Sequence, residues 1–220
     1  MPETSAFIFD MDGTLVDNMD YHLRSWIELF NGLDVQINQQ EFHQRFSGKT
    51  TDMLLKEVIG EHLTQAEIRQ FSETKESIYR ELYRPHLRPV PGLVDFLAAA
   101  WGLSIPMAVA TSAMKKNIDF VLGGLGLSLY FKVVIGAEDI RHSKPHPEIY
   151  LIAAERLGIS PGSCIVFEDS LAGIEAARRA GMQAVVITTA LSAEEARARE
   201  SVIMVVKDYV ELHPDVLING

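Results

Sequence analysis

Short apolar runs alternate with segments of helical periodicity through the second half of the chain. From residue 91 onward the pattern predicts strands at 106–110, 132–136, 164–167 and 183–188, separated by helices at 93–101, 116–125, 147–157 and 171–180. The apolar run "FIFD" near the N-terminus matches these strands. Short, continuously apolar strands between helices are typical of a parallel sheet that is covered on both faces. We therefore predict an α/β fold whose sheet begins at the N-terminus and resumes after residue 90.

The segment between the first strand and the rest of the sheet has a different pattern. Residues 17–87 are helical in periodicity, richer in charge and glutamine, and lack a comparable apolar strand. Asn18 is placed to cap the first of these helices, and Thr64 opens a long amphipathic run. We predict a core domain formed by residues 1–16 and 88–220, interrupted by a helical lid at residues 17–87.

Composition and charge narrow the choice of partner. The 220 residues include 30 acidic and 20 basic side chains, and the net charge of −10 argues against nucleic acid or an anionic membrane as partner. Cys164 is the single cysteine, so no internal disulfide can form and a reducing compartment is favoured. The N-terminus lacks the basic segment of a signal peptide. We expect a cytoplasmic monomer that acts on a small molecule.

Polar side chains follow four strands of the predicted sheet, at the edge where a parallel sheet binds its ligands. They are Asp10 and Asp12 after the first strand, Thr111 and Ser112 after the second, Lys144 after the third, and Glu168 and Asp169 after the fourth. Carboxylates from two strand ends suit a hard divalent cation, whereas hydroxyls and a lysine suit a phosphate group. A metal beside a phosphate, with a carboxylate to spare, points to phosphoryl transfer.

The order of the chemical steps can be argued from the residue types. Asp10 is placed to attack phosphorus, with Mg²⁺ held by Asp10, Asp169 and the backbone carbonyl of Asp12. Asp12 lies two residues beyond Asp10 in an extended segment, on the same side, and is the candidate acid and base. Glu168 is adjacent to Asp169, and we interpret it as a residue that supports the metal ligands.

Four motifs carry a family resemblance. The stretches "DMDGTLVD", "ATS", "SKPHP" and "FEDSLAGIEAA", within residues 7–177, resemble the four motifs of the haloacid dehalogenase-like phosphohydrolases. The resemblance to the subgroup with an inserted helical cap implies a Rossmann-like core and a Mg²⁺ cofactor. It also implies roles for five residues: Asp10 as nucleophile, Asp12 as acid and base, Thr111 and Lys144 on the phosphate, and Asp169 on the metal. The dehalogenases lack the second acid, so carbon–halogen cleavage is not expected here.

Within that subgroup, "DYHLRSW" resembles the β-phosphoglucomutases and their sugar-phosphatase relatives, and His22 matches a cap histidine close to the acid and base. The chain departs from the mutases at Thr14, where they carry an apolar residue, and at Val16, where they carry a threonine. Their cap loop also bears an arginine for the distal phosphate, where "SGKTTD" offers Thr51. Lys49 is a candidate substitute, but lysine lacks the bidentate fork of arginine. These departures favour a phosphatase.

Three hypotheses follow from these residues. The leading one is a Mg²⁺-dependent phosphatase that hydrolyses small phosphate monoesters, in particular sugar phosphates, through an aspartyl-phosphate, with the cap closing over the site. The alternative is a β-phosphoglucomutase that interconverts β-glucose 1-phosphate and glucose 6-phosphate. The third is a catalytically idle phosphate-binding protein, which the intact nucleophile, acid and metal carboxylates disfavour. The sequence leaves the individual substrate open, because the cap side chains select it.

Overall fold

The computed structural model describes residues 6–46 and 51–218, and these form two compact units. One unit comprises the described residues up to Asp17 together with those from Leu87 onward, and contains the sheet. The other spans Asn18–His86 and is helical within its described residues. The chain therefore leaves the sheet unit after its first strand and returns before its second.

The sheet has six parallel strands, and it confirms the predicted α/β class. The strands are β1 (Ala6–Phe9), β2 (Met107–Ala110), β3 (Val133–Ile135), β4 (Cys164–Glu168), β5 (Gln183–Ile187) and β6 (Val202–Val206). Their order across the sheet is β3-β2-β1-β4-β5-β6, so β1 and β4 are central neighbours. The sequence pattern predicted the first five of these strands. It missed β6, which lies at an edge and is only partly buried.

Ten α-helices lie in the described part of the chain. They are α1 (Met19–Asn31), α2 (Gln39–Phe46), α3 (Thr51–Ile59), α4 (Gln65–Tyr83), α5 (Leu93–Gly102), α6 (Lys115–Ile118), α7 (Glu148–Leu157), α8 (Leu171–Arg179), α9 (Ala193–Arg197) and α10 (Pro214–Ile218). The helix predicted at 116–125 is instead the short α6 followed by a π-helical turn at Asp119–Gly123. Each helix of the described residues is too short or too polar to cross a membrane.

The two faces of the central strands are buried against different partners. Phe9 of β1 pairs in register with Phe167 of β4, and their rings stack with centroids 4.4 Å apart. Ile8 and Val166, the preceding pair in register, contribute to the core cluster that also contains Tyr150 of α7. Because side chains alternate between the faces of a strand, the next residue after Phe9 is directed toward the face of α7. This alternation determines where Asp10 lies.

The helical unit has a core of its own. Leu29, Phe30, Leu55 and Ile68 from α1, α3 and α4 are buried in one cluster. The predicted start of α4 is confirmed: Thr64 accepts a hydrogen bond from the Glu67 backbone, and the Glu67 carboxylate accepts one from the Thr64 backbone.

The predicted capping role of Asn18 is wrong. Asn18 occupies the N-cap position of α1, but its side chain makes no capping hydrogen bond. Its Nδ2 donates to Tyr79 Oη over 2.6 Å, and both residues are fully buried. A buried amide beside a buried phenol gains more from that bond than from the helix end, because each would otherwise be desolvated without a partner.

Candidate active site

Three carboxylates meet where the central strands end. Asp10 directly follows β1, and its backbone N–H donates to the carbonyl of Phe167 over 2.9 Å, which fixes its position beside β4. Glu168 is the last residue of β4, and Asp169 follows it. All three side chains are buried, and one carboxylate oxygen from each lies within 4.8 Å of the others. The neighbouring β1 and β4 thus gather charges that lie far apart in sequence.

Lys144 brings a cation into this cluster from the loop before α7. Its Nζ donates to Asp10 Oδ1 over 2.6 Å and to Glu168 Oε1 over 2.7 Å, and its side chain is only 8% exposed. The Lys144–Pro145 peptide bond is cis. One ammonium group therefore contacts two of the three carboxylates, and the cluster has an excess of negative charge when all three are ionised.

The Glu168 carboxylate is held by donors on both oxygens. Oε1 accepts from Lys144 and from the hydroxyl of Tyr150 at 2.7 Å. Oε2 accepts from the backbone N–H of Asp169 at 2.9 Å and from the N–H and hydroxyl of Ser170 at 3.0 and 2.9 Å. A Cβ on Gly173 would overlap the Glu168 carboxylate, so the close approach of α8 requires glycine there. These bonds suit Glu168 to positioning Lys144.

Tyr150 is a residue that the sequence reasoning missed. It lies on α7, is fully buried, and its ring lies 5.0 Å from the ammonium of Lys144. In the sequence it falls among the apolar positions of an ordinary amphipathic helix, where a tyrosine indicates core packing. The packing of α7 on the sheet, together with the Lys144 loop that precedes α7, brings the polar cluster next to that helix.

The pKa values of the carboxyl groups show that the cluster is short of positive charge. Burial raises the pKa of Asp10 to about 7, although the charge of Lys144 lowers it. Burial raises the pKa of Asp169 to about 9, and the charges of Glu168 and Asp10 add to the effect. Burial also acts to raise the pKa of Glu168, but Lys144 and the hydrogen bonds from its neighbours lower it below its usual value. A bound cation would stabilise the ionised forms of Asp10 and Asp169.

The turn after β1 is built around Gly13 and places Asp12 near the same cluster. Gly13 has φ +79°, and a Cβ there would overlap the Asp169 carboxylate. Its carbonyl accepts a hydrogen bond from the Thr189 hydroxyl, and the backbone of Asp12 forms a bridge with Val16. The charge of Asp12 contributes to raising the pKa of Asp10 and of Asp169. The second acid of the motif therefore belongs electrostatically to the cluster.

The predicted hydroxyl residues follow β2, the strand on the other side of β1. Thr111 is buried, and its Oγ1 accepts a hydrogen bond from the Ala113 backbone over 3.1 Å. Its own backbone N–H donates to the carbonyl of Ile135. Ser112 is exposed. The two hydroxyls therefore lie at the same edge of the sheet as Asp10, one held by the loop and one facing solvent.

The remaining predicted residues belong to the helical unit. His22 on α1 stacks on Tyr79 with ring centroids 3.9 Å apart, and its Nδ1 lies 2.7 Å from Lys75 Nζ. Because an ammonium group only donates, Nδ1 is the acceptor in this contact. Thr51 is the first residue of α3, and Lys49 lies outside the described residues.

The donor set of the cluster fits a hard divalent cation. All of its side-chain donors are carboxylate oxygens. Mg²⁺ and Ca²⁺ prefer such oxygen ligands, whereas softer metals prefer sulfur or imidazole nitrogen. Three buried carboxylates beside one lysine have a net negative charge when ionised, and this charge attracts such an ion. Asp10 and Asp169 fit the role of ligands better than Glu168, whose two oxygens already accept hydrogen bonds from the protein.

Known proteins resemble this chain over most of its length. A family model described as haloacid dehalogenase-like hydrolase matches residues 7–187. The fructose-1-phosphate phosphatase YqaB of Escherichia coli is 35% identical, over 82% of this chain and 95% of that protein. The phosphorylated carbohydrates phosphatase of Thermotoga maritima is 30% identical, over 81% of this chain and 82% of its own length.

Solved structures resemble the fold closely. A haloacid dehalogenase-type hydrolase of family IA from Entamoeba histolytica has a TM-score of 0.90, with 25% identity and 98% coverage of both chains. The β-phosphoglucomutase of Clostridium difficile has a TM-score of 0.81 and 27% identity, and the match covers 97% of this chain and 95% of that one. The motifs predicted this kinship, and the comparisons confirm it. The chain belongs to the haloacid dehalogenase-like hydrolase family.

Proposed function

We propose that the protein is a Mg²⁺-dependent phosphatase that hydrolyses small phosphate monoesters, with sugar phosphates as the substrate class. The observation that carries the proposal is the buried cluster of Asp10, Asp169 and Glu168 with Lys144, which combines oxygen ligands for a metal with a fixed ammonium group. The names of two similar proteins, a fructose-1-phosphate phosphatase and a phosphorylated carbohydrates phosphatase, support the substrate class.

In this proposal the metal is held by Asp10, Asp169 and the backbone carbonyl of Asp12. When bound, Mg²⁺ supplies positive charge that reduces the repulsion between a carboxylate nucleophile and a phosphate dianion. The raised pKa values of Asp10 and Asp169 support this assignment, because both carboxyl groups lack sufficient compensating charge without an ion. Lys144 compensates only part of the charge.

The reaction proceeds in two displacements at phosphorus. A carboxylate oxygen of Asp10 forms a bond to phosphorus while the bond to the sugar oxygen breaks, and Asp12 donates its proton to that leaving oxygen. Asp12, now ionised, takes a proton from a water molecule whose oxygen attacks the phosphorus of the aspartyl-phosphate. The Asp10–phosphorus bond breaks, inorganic phosphate leaves, and both aspartates return to their starting states.

Lys144, Thr111 and Ser112 are the proposed partners of the transferring phosphoryl group. Lys144 also orients Asp10 directly, through the contact between its ammonium group and Oδ1. The Oε1 atom of Glu168 accepts hydrogen bonds from both Lys144 and Tyr150. Glu168 and Tyr150 therefore hold Lys144 in that place. We therefore assign Tyr150 and Glu168 a positioning role.

We propose that His22, Lys49 and Thr51 influence the choice of sugar. Their replacement, for example in His22→Asn, should raise KM for sugar phosphates while leaving turnover of p-nitrophenyl phosphate nearly unchanged. A parallel loss of turnover on both kinds of substrate would contradict this assignment.

We also propose that the protein acts as a cytoplasmic monomer without nucleic-acid or membrane partners, and light scattering of the purified chain would test the monomeric state.

The test of the function is phosphate release from a panel of phosphate monoesters, with Mg²⁺ and with EDTA. The panel includes fructose 1-phosphate, β-glucose 1-phosphate and other sugar phosphates, and the anhydride pyrophosphate is assayed beside them. We expect hydrolysis of sugar phosphates that requires Mg²⁺ and is abolished in Asp10→Asn. Turnover of no member, or equal turnover in EDTA, would contradict the proposal.

A β-phosphoglucomutase is the second candidate, because the solved enzyme of that name from Clostridium difficile has a similar structure over nearly the whole chain. It predicts formation of glucose 6-phosphate from β-glucose 1-phosphate, stimulated by a bisphosphate primer and faster than hydrolysis. We favour the phosphatase because the chain departs from the mutases at Thr14 and Val16, and because two relatives that are 30% and 35% identical to it bear phosphatase names. Measuring both products in one assay decides between the two.

A further inference from the structure

The loop that carries Lys144 also carries a second set of metal-ligating side chains. His142 and His146 flank the lysine, and Glu148 follows as the first residue of α7. One ring nitrogen from each histidine and one Glu148 oxygen lie within 4.8 Å of one another. The two imidazole rings are 4.5 Å apart between centroids, and His142 Nδ1 is 3.0 Å from Glu148 Oε2.

Glu148 is fixed by the backbone of the same loop. Its Oε2 accepts hydrogen bonds from the N–H groups of Arg141 at 3.2 Å and of His142 at 2.8 Å. The Glu148 backbone N–H in turn lies 3.3 Å from Nδ1 of His146. The loop is therefore folded so that its three donors face one another before any ion binds, and the cost of assembling them is reduced.

We propose that His142, His146 and Glu148 form a binding site for a divalent ion of the Zn²⁺ class. Two imidazoles and one carboxylate suit Zn²⁺, whereas Mg²⁺ prefers sites made of oxygen alone. Bonds of about 2.0–2.2 Å in tetrahedral geometry place donors about 3.4 Å apart. His142 Nδ1 and Glu148 Oε2 are already 3.0 Å apart, and the other donor pairs, which lie within 4.8 Å, must adjust to that spacing. The two histidines are exposed and Glu148 is half-buried, so side-chain rotation and a small shift of the loop allow this. Water completes the coordination.

This site differs in chemistry from the acidic cluster, which is formed by Asp10, Glu168 and Asp169, but the two are connected through Lys144. That residue lies midway between His142 and His146, while its Nζ contacts Asp10 and Glu168. Drawing the two histidines onto one ion contracts the loop around Lys144 and displaces its ammonium group from the nucleophile. Since a displacement of about 1 Å in a catalytic group can cost two orders of magnitude in rate, Zn²⁺ here should slow turnover without displacing Mg²⁺. This consequence rests on the proposed function, whereas the binding site does not.

Binding is tested by calorimetric titration of Zn²⁺ into tag-free protein in the presence of saturating Mg²⁺, which occupies the oxygen ligands of the acidic cluster. We expect one Zn²⁺ per chain in the wild type and an affinity at least about tenfold weaker in the double variant His142→Gln/His146→Gln. The matched control is His213→Gln, which removes an exposed histidine outside the cluster and should leave the affinity unchanged. The absence of Zn²⁺ binding by the wild type, or equal affinity in the double variant, would overturn the site.

A spectroscopic readout identifies the ligands independently of activity. In histidine-selective NMR spectra, Zn²⁺ should shift the ring resonances of His142 and His146, and those of His213 should stay in place. Shifts confined to other histidines would also overturn the site.

The connection to Lys144 is tested by turnover at saturating Mg²⁺. The rate should fall over the Zn²⁺ range that fills the site in calorimetry, and the double variant should keep its own zinc-free rate over that range. Equal inhibition of both proteins, or no inhibition of the wild type, would overturn the connection. If no phosphate ester is hydrolysed at all, the proposed function fails, while the calorimetric and NMR results still decide the metal site.

Discussion

Replacing Lys144 by methionine removes the ammonium group that compensates the buried carboxylates while keeping the length and apolar body of the side chain. In the wild type its Nζ is 2.6 Å from Asp10 and 2.7 Å from Glu168. Lys144 and Asp10 are at most 10% exposed in their side chains, and Glu168 is 1% exposed. Water can therefore replace little of the lost interaction, and the variant must keep two buried carboxylates without their cation.

Removing one partner of a buried ion pair costs about 3–5 kcal/mol of folding free energy, chiefly because the other charge is left uncompensated. We expect Lys144→Met to lose stability in this range near pH 8 in EDTA. The matched control is Lys115→Met. Lys115 also contacts a carboxylate, Asp119, at 2.9 Å, but the two side chains are 75% and 61% exposed, so a loss of at most about 1 kcal/mol is expected.

The loss should depend on pH in a defined direction. The pKa of Asp10 is already raised to about 7 by burial, against the lowering effect of Lys144, so its removal raises this pKa further. An acid with a raised folded-state pKa adds stability only in its protonated form, and that stability is lost as pH rises through the folded pKa. In the wild type the Asp10 contribution is lost by about pH 7, whereas in the variant it continues to be lost above that pH. The contribution of Asp169, whose pKa is raised to about 9, falls over the same range in both proteins. The deficit of the variant should therefore be smaller near pH 6 than near pH 8.

The assay is urea unfolding of the wild type and both variants at the two pH values, in EDTA and with Mg²⁺. Mg²⁺ should restore part of the stability of Lys144→Met, because the ion supplies positive charge to the same carboxylates. A loss below about 1 kcal/mol at pH 8, similar to that of Lys115→Met, would refute the reasoning that Lys144 compensates a buried charge cluster. A deficit that shrinks as pH rises would refute the assigned cause.

Three further outcomes are expected. In Tyr150→Phe the free energy of unfolding in urea should fall by about 1.5–3 kcal/mol, because the Tyr150 hydroxyl donates to the Glu168 carboxylate. Tyr209→Phe should be neutral or stabilising, since the buried Tyr209 hydroxyl has no hydrogen-bond partner among the described residues. Equal effects of the two substitutions would contradict this. Gly173→Ala, which in an ordinary helix interior gains up to about 1 kcal/mol, should instead destabilise the protein and lower turnover, because its Cβ would overlap Glu168. At one hundred times its dissociation constant, Mg²⁺ should increase the free energy of unfolding of the wild type by about 2.7 kcal/mol, and the thermal midpoint should rise accordingly. This gain should disappear in Asp169→Asn.

Sequence pattern predicted the sheet well because its strands are short apolar runs between helices, a signal that needs no knowledge of tertiary contacts. It also indicated that Asp10 and Asp169 follow strands of one sheet, since parallel strands end at one edge. The prediction did not include β6, the apolar run "VIMVV" at 202–206, which lies at an edge of the sheet and is only partly buried. The π-helical turn after α6 gives no distinct periodic signal.

The contacts inside the site were beyond sequence reasoning for a physical reason. Lys144 and Asp10 are 134 positions apart, and only folding shows that the ammonium group bridges Asp10 and Glu168. Tyr150 has the pattern of a core residue, and its hydroxyl matters only because of its neighbour in space. Asn18 illustrates the opposite case, in which a local capping preference lost to a buried long-range hydrogen bond with Tyr79.

The central claim is that phosphorus is transferred to the carboxylate of Asp10, and trapping that ester tests it most directly. The wild-type protein is mixed with Mg²⁺ and a sugar phosphate that it hydrolyses, and the reaction is quenched in acid within one turnover. The sample is then treated with borohydride, which reduces an acyl phosphate to an alcohol. Peptide mass spectrometry should then find homoserine at position 10, and none without substrate. Homoserine at another aspartate, or unmodified Asp10 under conditions in which phosphate is released, would contradict the account.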